Sequence, residues 1–150
     1  MNIKRLAKSF KYAACGIAET VRCEQNMRIH ISAASLIIPF AYYFGITRCE
    51  WAVLFTVIGA VLFAELMNTA VERTADAVTK EKNENIKFAK DAAAGGVVAA
   101  AAASVAVGFA LFGDWGKILT TLAYISTHAV PAVIFLCILA ADTVFLVKIK

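Results

Sequence analysis

Four stretches of this chain are apolar at nearly every position, and a shorter one ahead of them is apolar on one side only. Between Lys4 and Arg22 the polar residues Lys4, Lys8, Lys11, Glu19 and Arg22 share one face of a 3.6-residue helix, and Leu6, Phe10, Ala14, Ile17 and Val21 share another. That pattern predicts a helix lying in a membrane surface, its lysines toward anionic headgroups. From Ile29 to Ile46 the one-sidedness disappears, and His30 is the only ionisable residue of the run besides the tyrosines, which predicts a first membrane span, with Pro39 a candidate kink. The polar loop Thr47 to Glu50 and the interface anchor Trp51 lead into a second apolar run, Ala52 to Ala64. No glycine or proline stops that helix before Asp76, so it is expected to continue into polar sequence until the loop Thr79 to Asn85. A third span is expected over Ile86 to Phe112, where small residues let helix backbones approach, which favours a central place in a bundle. After a turn at Gly113 to Lys117, Ile118 to Val147 predicts a fourth span, kinked at Pro131.

Composition agrees: 61% hydrophobic and 17% charged over 150 residues makes lipid the solvent and leaves no length for a separate soluble catalytic domain. The basic segment Met1 to Lys11 lacks the apolar core of a cleavable signal and is expected to be retained. All of the 15 Lys and Arg except Arg48 and Lys117 then fall on one side of a four-span arrangement, which by the positive-inside rule is the cytoplasm, together with both termini. The four cysteines, Cys15, Cys23, Cys49 and Cys137, form no Cys-x-x-Cys pair and read as small apolar residues rather than a disulfide or zinc framework.

The charges inside the second span change the picture. At about 100° per residue, Glu65, Asn68, Glu72 and Asp76 project at relative angles of roughly 0, −60, −20 and +20°, one narrow stripe. At ~1.5 Å per residue from Trp51, Glu65 lies about 21 Å and Glu72 about 31 Å from the outer interface, within reach of water from inside. Intramembrane carboxylates cost ~2.5 to 3.5 kcal/mol each on insertion scales and call for a shared purpose. Carboxylates and an amide oxygen suit Mg²⁺, and Lys87 and Lys90 on the same side could hold phosphates. Metal-assisted phosphate chemistry, a polar stripe that holds a bundle together, and an ion or proton path stand level on physics alone. A transporter would expose its stripe to both sides, whereas these residues cluster toward the cytoplasm. No phosphate-binding loop, kinase glycine loop or dinucleotide fingerprint is present, and nothing calls for a nucleic-acid partner. His30 and His128 read as hydrogen-bonded packing residues, without a catalytic role.

The run Glu65-Leu-Met-Asn-Thr-Ala-Val-Glu-Arg-Thr-Ala-Asp76 resembles the hallmark of the small integral-membrane diacylglycerol kinase and undecaprenol kinase family of bacteria. Gly16-Ile-x-Glu-Thr-x-Arg-x-Glu24-x-Asn-x-x-x-His30 upstream and Ala89-Lys-Asp-Ala-Ala-Ala-Gly95 downstream are similar to it in order and spacing, so the resemblance covers about Lys4 to Phe112. It implies an all-α polytopic enzyme of the bacterial cell membrane: a surface helix and three spans per chain, a homotrimer with active sites shared between neighbours, and transfer of the γ-phosphate of ATP to a membrane lipid at the cytoplasmic interface. By the resemblance Glu65 is the general base on the lipid hydroxyl, Asn68 supports the reacting groups, and Glu24 and Glu72 bind Mg²⁺. Tyr12, Glu81, Lys90 and Asp91 match nucleotide contacts, and Arg5 a basic residue near the lipid. Asn-Thr-Ala and the Arg-x-Glu-x-Asn-x-x-x-His stretch are similar to the Gram-positive branch, which favours undecaprenol over diacylglycerol as acceptor. On this reading residues 1–117 form the lipid kinase domain and 118–150 an additional C-terminal membrane helix without chemistry, in which Asp142 snorkels or caps.

Overall fold

The computed structural model describes residues 3–79 and 81–147, so the basic residues Lys80, Lys148 and Lys150 of the charge argument, and the start of the Met1 to Lys11 segment, lie outside the described residues. Among the described residues the chain is all-α, with six helices and no strand. α1 (Ile3–Cys23) is the one-sided helix the pattern predicts, exposed along almost its whole length with only Thr20 buried. α2 (Gln25–Phe44) follows after Glu24 alone and runs unbroken through Pro39. Gly45, in the left-handed region at φ 73°, ends it and returns its N–H to the carbonyls of Ala41 and Tyr42.

The expected loop at Thr47 to Glu50 is mostly helix. Thr47 and Glu50 form a reciprocal cap, the Thr47 N–H donating to Glu50 Oε2 at 2.6 Å and the Glu50 N–H to Thr47 Oγ1 at 3.4 Å, so α3 (Arg48–Val78) begins at Arg48. At 31 residues α3 is about 46 Å long, well beyond a ~30 Å hydrocarbon core, which carries its polar end out of the apolar region. α4 (Glu84–Phe112) returns beside it, started by Asn83, whose Oδ1 accepts from the N–H groups of Asn85 and Ile86.

Two expectations change here. α4 pairs with α3 and buries only Val97, so within one chain it lies at the edge of the bundle rather than its centre. A side chain at Gly95 or Gly96 would meet nothing within 4 Å, so no backbone of this chain occupies the space those glycines leave. The second change is in the C-terminal segment, which is two helices, α5 (Trp115–Thr127) and α6 (Ala129–Val147), rather than one kinked span. Pro131 has no N–H to give the Thr127 carbonyl, and it sits in the first turn of α6, where proline is tolerated; the chain extends at His128 (φ −105°, ψ 126°) and restarts.

α5 lies against the C-terminal end of α2, with Lys117 Nζ 4.2 Å from the centre of the Phe44 ring and the Tyr124 ring 6.0 Å from Tyr43. α6 then runs back along α2, since Phe135 meets Tyr43 and, seven residues on, Asp142 accepts a 2.8 Å hydrogen bond from Ser35 Oγ. Asp142 is thus half-buried between helices, not a residue that merely snorkels or caps. Phe112 closes the end of α4 against Phe40 and Phe44, at 5.5 and 5.2 Å. By length and composition α3, α4 and α6 can each cross a membrane. The four cysteines are free and exposed.

Candidate active site

The stripe on α3 emerges gradually from the bundle. Glu65 is 2% exposed and lies on the buried face with Leu54, Val61 and Thr69; Asn68 and Glu72 are half-buried, and Asp76 is 68% exposed. Over about 16 Å of helix one face passes from apolar surroundings to water. Asn68 Nδ2 donates to Glu72 Oε1 at 3.1 Å, which fixes the amide so that its Oδ1, buried and without a hydrogen bond, points away from that carboxylate.

Glu65 Oε1 is also buried without an aligned hydrogen bond, and the group facing it is His30 of α2, whose Nε2 stands 3.2 Å away. Sequence reasoning missed this residue. Helical spacing held a signal, because His30, Ala33, Ala34 and Ile37 fall at the i, i+3, i+4, i+7 positions of one α2 face, and together they line an apolar cleft of about 300 Å³ between α2, α3 and α4. The cleft runs from His30 past Val61 and Gly108 to Phe112.

Glu24 stands at the N-cap of α2, where its carboxylate makes no capping hydrogen bond and so stays available. Arg28, one turn on and 5% exposed, secures the junction: Nη1 donates to the carbonyls of Val21 at 3.3 Å and Arg22 at 2.9 Å, the last acceptors of α1. The carboxylates of Glu24 and Glu72 lie close enough for their charges to act on Glu65. Among the described residues no three His, Cys, Asp or Glu side chains converge into a closed metal site. Magnesium commonly takes one or two carboxylates and completes its shell with phosphate and water, and the oxygens of Glu24 and Glu72 with the orphaned Asn68 Oδ1 suit it.

Where α3 ends and α4 begins, a second cavity of about 540 Å³ is polar: Glu81, Lys87, Lys90 and Asp91 line it, with Asp76 at its edge. Lys90 forms an ion pair with Asp76, so the outermost member of the stripe faces α4. Tyr12 and Arg5 are exposed on α1 and line neither cavity, although Lys8 Nζ lies 5.7 Å over the Tyr12 ring. The structure therefore gathers Glu65, His30, Asn68, Glu72 and Glu24 in one region, sets Glu81, Lys90 and Asp91 around a neighbouring cavity, and leaves Tyr12 and Arg5 apart.

Residues 11–112 match the model of the prokaryotic diacylglycerol kinase family, and the matched stretch ends with α4. The chain belongs to that family. It is similar to the undecaprenol kinase of Bacillus subtilis (strain 168), 38% identical over 73% of this chain and 89% of that protein. A diacylglycerol kinase of Synechocystis sp. is 38% identical over 69% of this chain and 59% of that protein, and one of Pseudomonas aeruginosa 32% identical over 59% of this chain and 72% of that protein. No solved structure matches the chain significantly. Family membership makes the protein a membrane-embedded lipid kinase that uses a phosphate donor such as ATP, and it displaces the transporter reading of the stripe.

Proposed function

We propose that this kinase transfers the γ-phosphate of ATP to the hydroxyl of undecaprenol at the cytoplasmic face of the bacterial cell membrane, with Glu65 as general base. The observation that carries this reading is the placement of Glu65: a buried carboxylate at the head of a polar stripe, 3.2 Å from His30, which lines one end of an apolar cleft. The cleft takes the inner isoprenoid units and brings the hydroxyl to Glu65. Its oxygen forms a bond to the γ-phosphorus as the bond from that phosphorus to the β–γ bridging oxygen breaks, ADP leaves with the electron pair, and the hydroxyl proton passes to Glu65. Glu24 and Glu72, with Asn68 between base and carboxylate, hold Mg²⁺, which supplies charge neutralisation on the phosphates when bound. Lys90, Asp91 and Glu81 line the cavity assigned here to the nucleotide, and the cationic Lys90 and Lys87 offset phosphate charge.

The catalytic unit is α1 to α4, in a homotrimer whose neighbours complete the nucleotide and lipid contacts through Tyr12 and Arg5 of the exposed α1. Both termini are cytoplasmic; α2 and α6 cross with α3 and α4. Undecaprenol is preferred because the cleft runs lengthwise between helices, which suits a long branched chain, and because the Bacillus subtilis undecaprenol kinase is matched over most of its length. Diacylglycerol is the second reading, supported by relatives bearing that name.

The test is transfer of labelled γ-phosphate from ATP to each lipid in one detergent, with and without Mg²⁺. Magnesium-dependent label on undecaprenol at the higher initial rate is expected, and Glu65→Gln should lower it by about 10²- to 10⁴-fold. A faster rate on diacylglycerol would reassign the acceptor, and a fully active Glu65→Gln would remove the base.

A further inference from the structure

We infer that His30 is a positioning residue for the general base: its imidazole N–H fixes one oxygen of the Glu65 carboxylate and turns the other toward the lipid hydroxyl. This rests on the assignment of Glu65 as base, and adds a residue that sequence reasoning left without a role. Glu65 is among the most deeply buried side chains of the chain, 2% exposed, and its Oε1 has no aligned hydrogen bond. A buried carboxylate oxygen without a donor is costly, so the group that faces it matters. That group is His30 Nε2, at 3.2 Å. Small rotation of the ring brings the N–H into line, as such contacts do when a substrate closes a site.

The geometry gives His30 two neighbours at once. It lines the inner end of the apolar cleft, with Ala34 and Leu62, and it touches the base on α3. A lipid chain seated in the cleft therefore meets the same residue whose Nε2 faces Glu65. Thr69, one turn along α3, spends its hydroxyl on the Glu65 backbone carbonyl at 3.0 Å and supplies nothing to the carboxylate, and Asn68 gives its amide to Glu72. Among the described residues His30 is the side-chain donor that meets the Glu65 carboxylate.

The test compares His30→Leu, which keeps bulk and removes the donor, with His30→Gln, whose amide nitrogen reaches about as far as Nε2, and with Glu65→Gln, in the full chain. The readouts are kcat and KM for ATP, with lipid acceptor saturating. Misplacing a reacting group by about 1 Å can cost on the order of 100-fold, so His30→Leu should lower kcat by about 10- to 100-fold with KM for ATP unchanged, and His30→Gln should restore most of it. Should His30→Leu not fold, His30→Met makes the same comparison. Equal losses in the Leu and Gln variants, or a KM effect alone, would reduce His30 to a packing residue and overturn the inference. A His30→Leu variant near wild-type kcat beside an inactive Glu65→Gln would overturn it and leave the base in place. An active Glu65→Gln would overturn both.

Discussion

Arg28 carries its charge into a place only 5% exposed, and its Nη1 spends itself on the carbonyls of Val21 and Arg22 at the end of α1. The cation meets the negative end of a helix dipole and two carbonyls of its last turn, so the contact holds α1 at a fixed angle to α2, with Glu24 in the bend between them. Replacing Arg28 by Met keeps the apolar stem and removes both donors. We expect a loss of about 2 to 3 kcal/mol in stability and a raised KM for MgATP as Glu24 loses its place, measured by denaturant titration and steady-state rates. An unchanged unfolding midpoint would mean that the guanidinium contributes nothing net. Lys90 stands at the opposite extreme. It and its partner Asp76 are 34% and 68% exposed, and such a pair holds little stability. Lys90→Ala should leave the midpoint within about 0.5 kcal/mol while raising KM for ATP by about tenfold or more, the loss of one charge-assisted phosphate contact. A shifted midpoint with unchanged KM would make the pair a structural clasp instead.

At the scale of elements, patterns that live within one helix are legible in the amino-acid sequence. The amphipathic α1 and the continuous α3 with its stripe follow from periodicity and from the absence of glycine and proline between Glu65 and Asp76. Features that depend on how two helices align are not. His30 meets Glu65 only because α2 runs against α3 in one register, and its place as the ionisable member of an apolar α2 face does not say which residue it meets. The break between α5 and α6 is half legible: Pro131 signals a disturbance, but whether it kinks one helix or starts another depends on how α5 seats against Tyr43 and Phe44. The same docking bears on function. α5 and α6 touch α2 through Tyr43, Phe44 and Ser35, while every proposed site residue lies on α1 to α4 or in the junctions between α1 and α2 and between α3 and α4. Truncation after Lys117 should therefore leave kcat within about threefold and lower the unfolding midpoint, because Ser35 and the C-terminal end of α2 lose partners in α5 and α6. Asp142→Ala should lower stability by about 1 kcal/mol through the Ser35 hydrogen bond alone. Lost catalysis in a truncated protein that remains folded would instead give the segment a direct part in the chemistry.

At the scale of the whole molecule, the single chain is open where a catalyst should be closed. α4 buries one residue, a Cβ added at Gly95 or Gly96 would meet nothing within 4 Å, and the exposed Tyr12 and Arg5 of α1 line neither of the two cavities described. Small residues at a helix surface in lipid let another backbone approach, which is where the proposed trimer would draw its subunits together. The division of labour in such a trimer is testable, because the charges of Glu24 and of Glu72 both act on Glu65 of the same chain. Glu24→Gln and Glu65→Gln subunits, each inactive, should stay inactive when mixed and reassembled, since every site then lacks one of its two carboxylates. The α1 residues should behave differently. If Tyr12 and Arg5 reach a neighbour's nucleotide and lipid, a subunit bearing Tyr12→Ala and Arg5→Ala, mixed with Glu65→Gln subunits, should recover up to about a quarter of wild-type rate from the interfaces where both intact halves meet. Recovery in the first mixture would place Glu24 across the subunit boundary, and none in the second would confine the whole site to one chain.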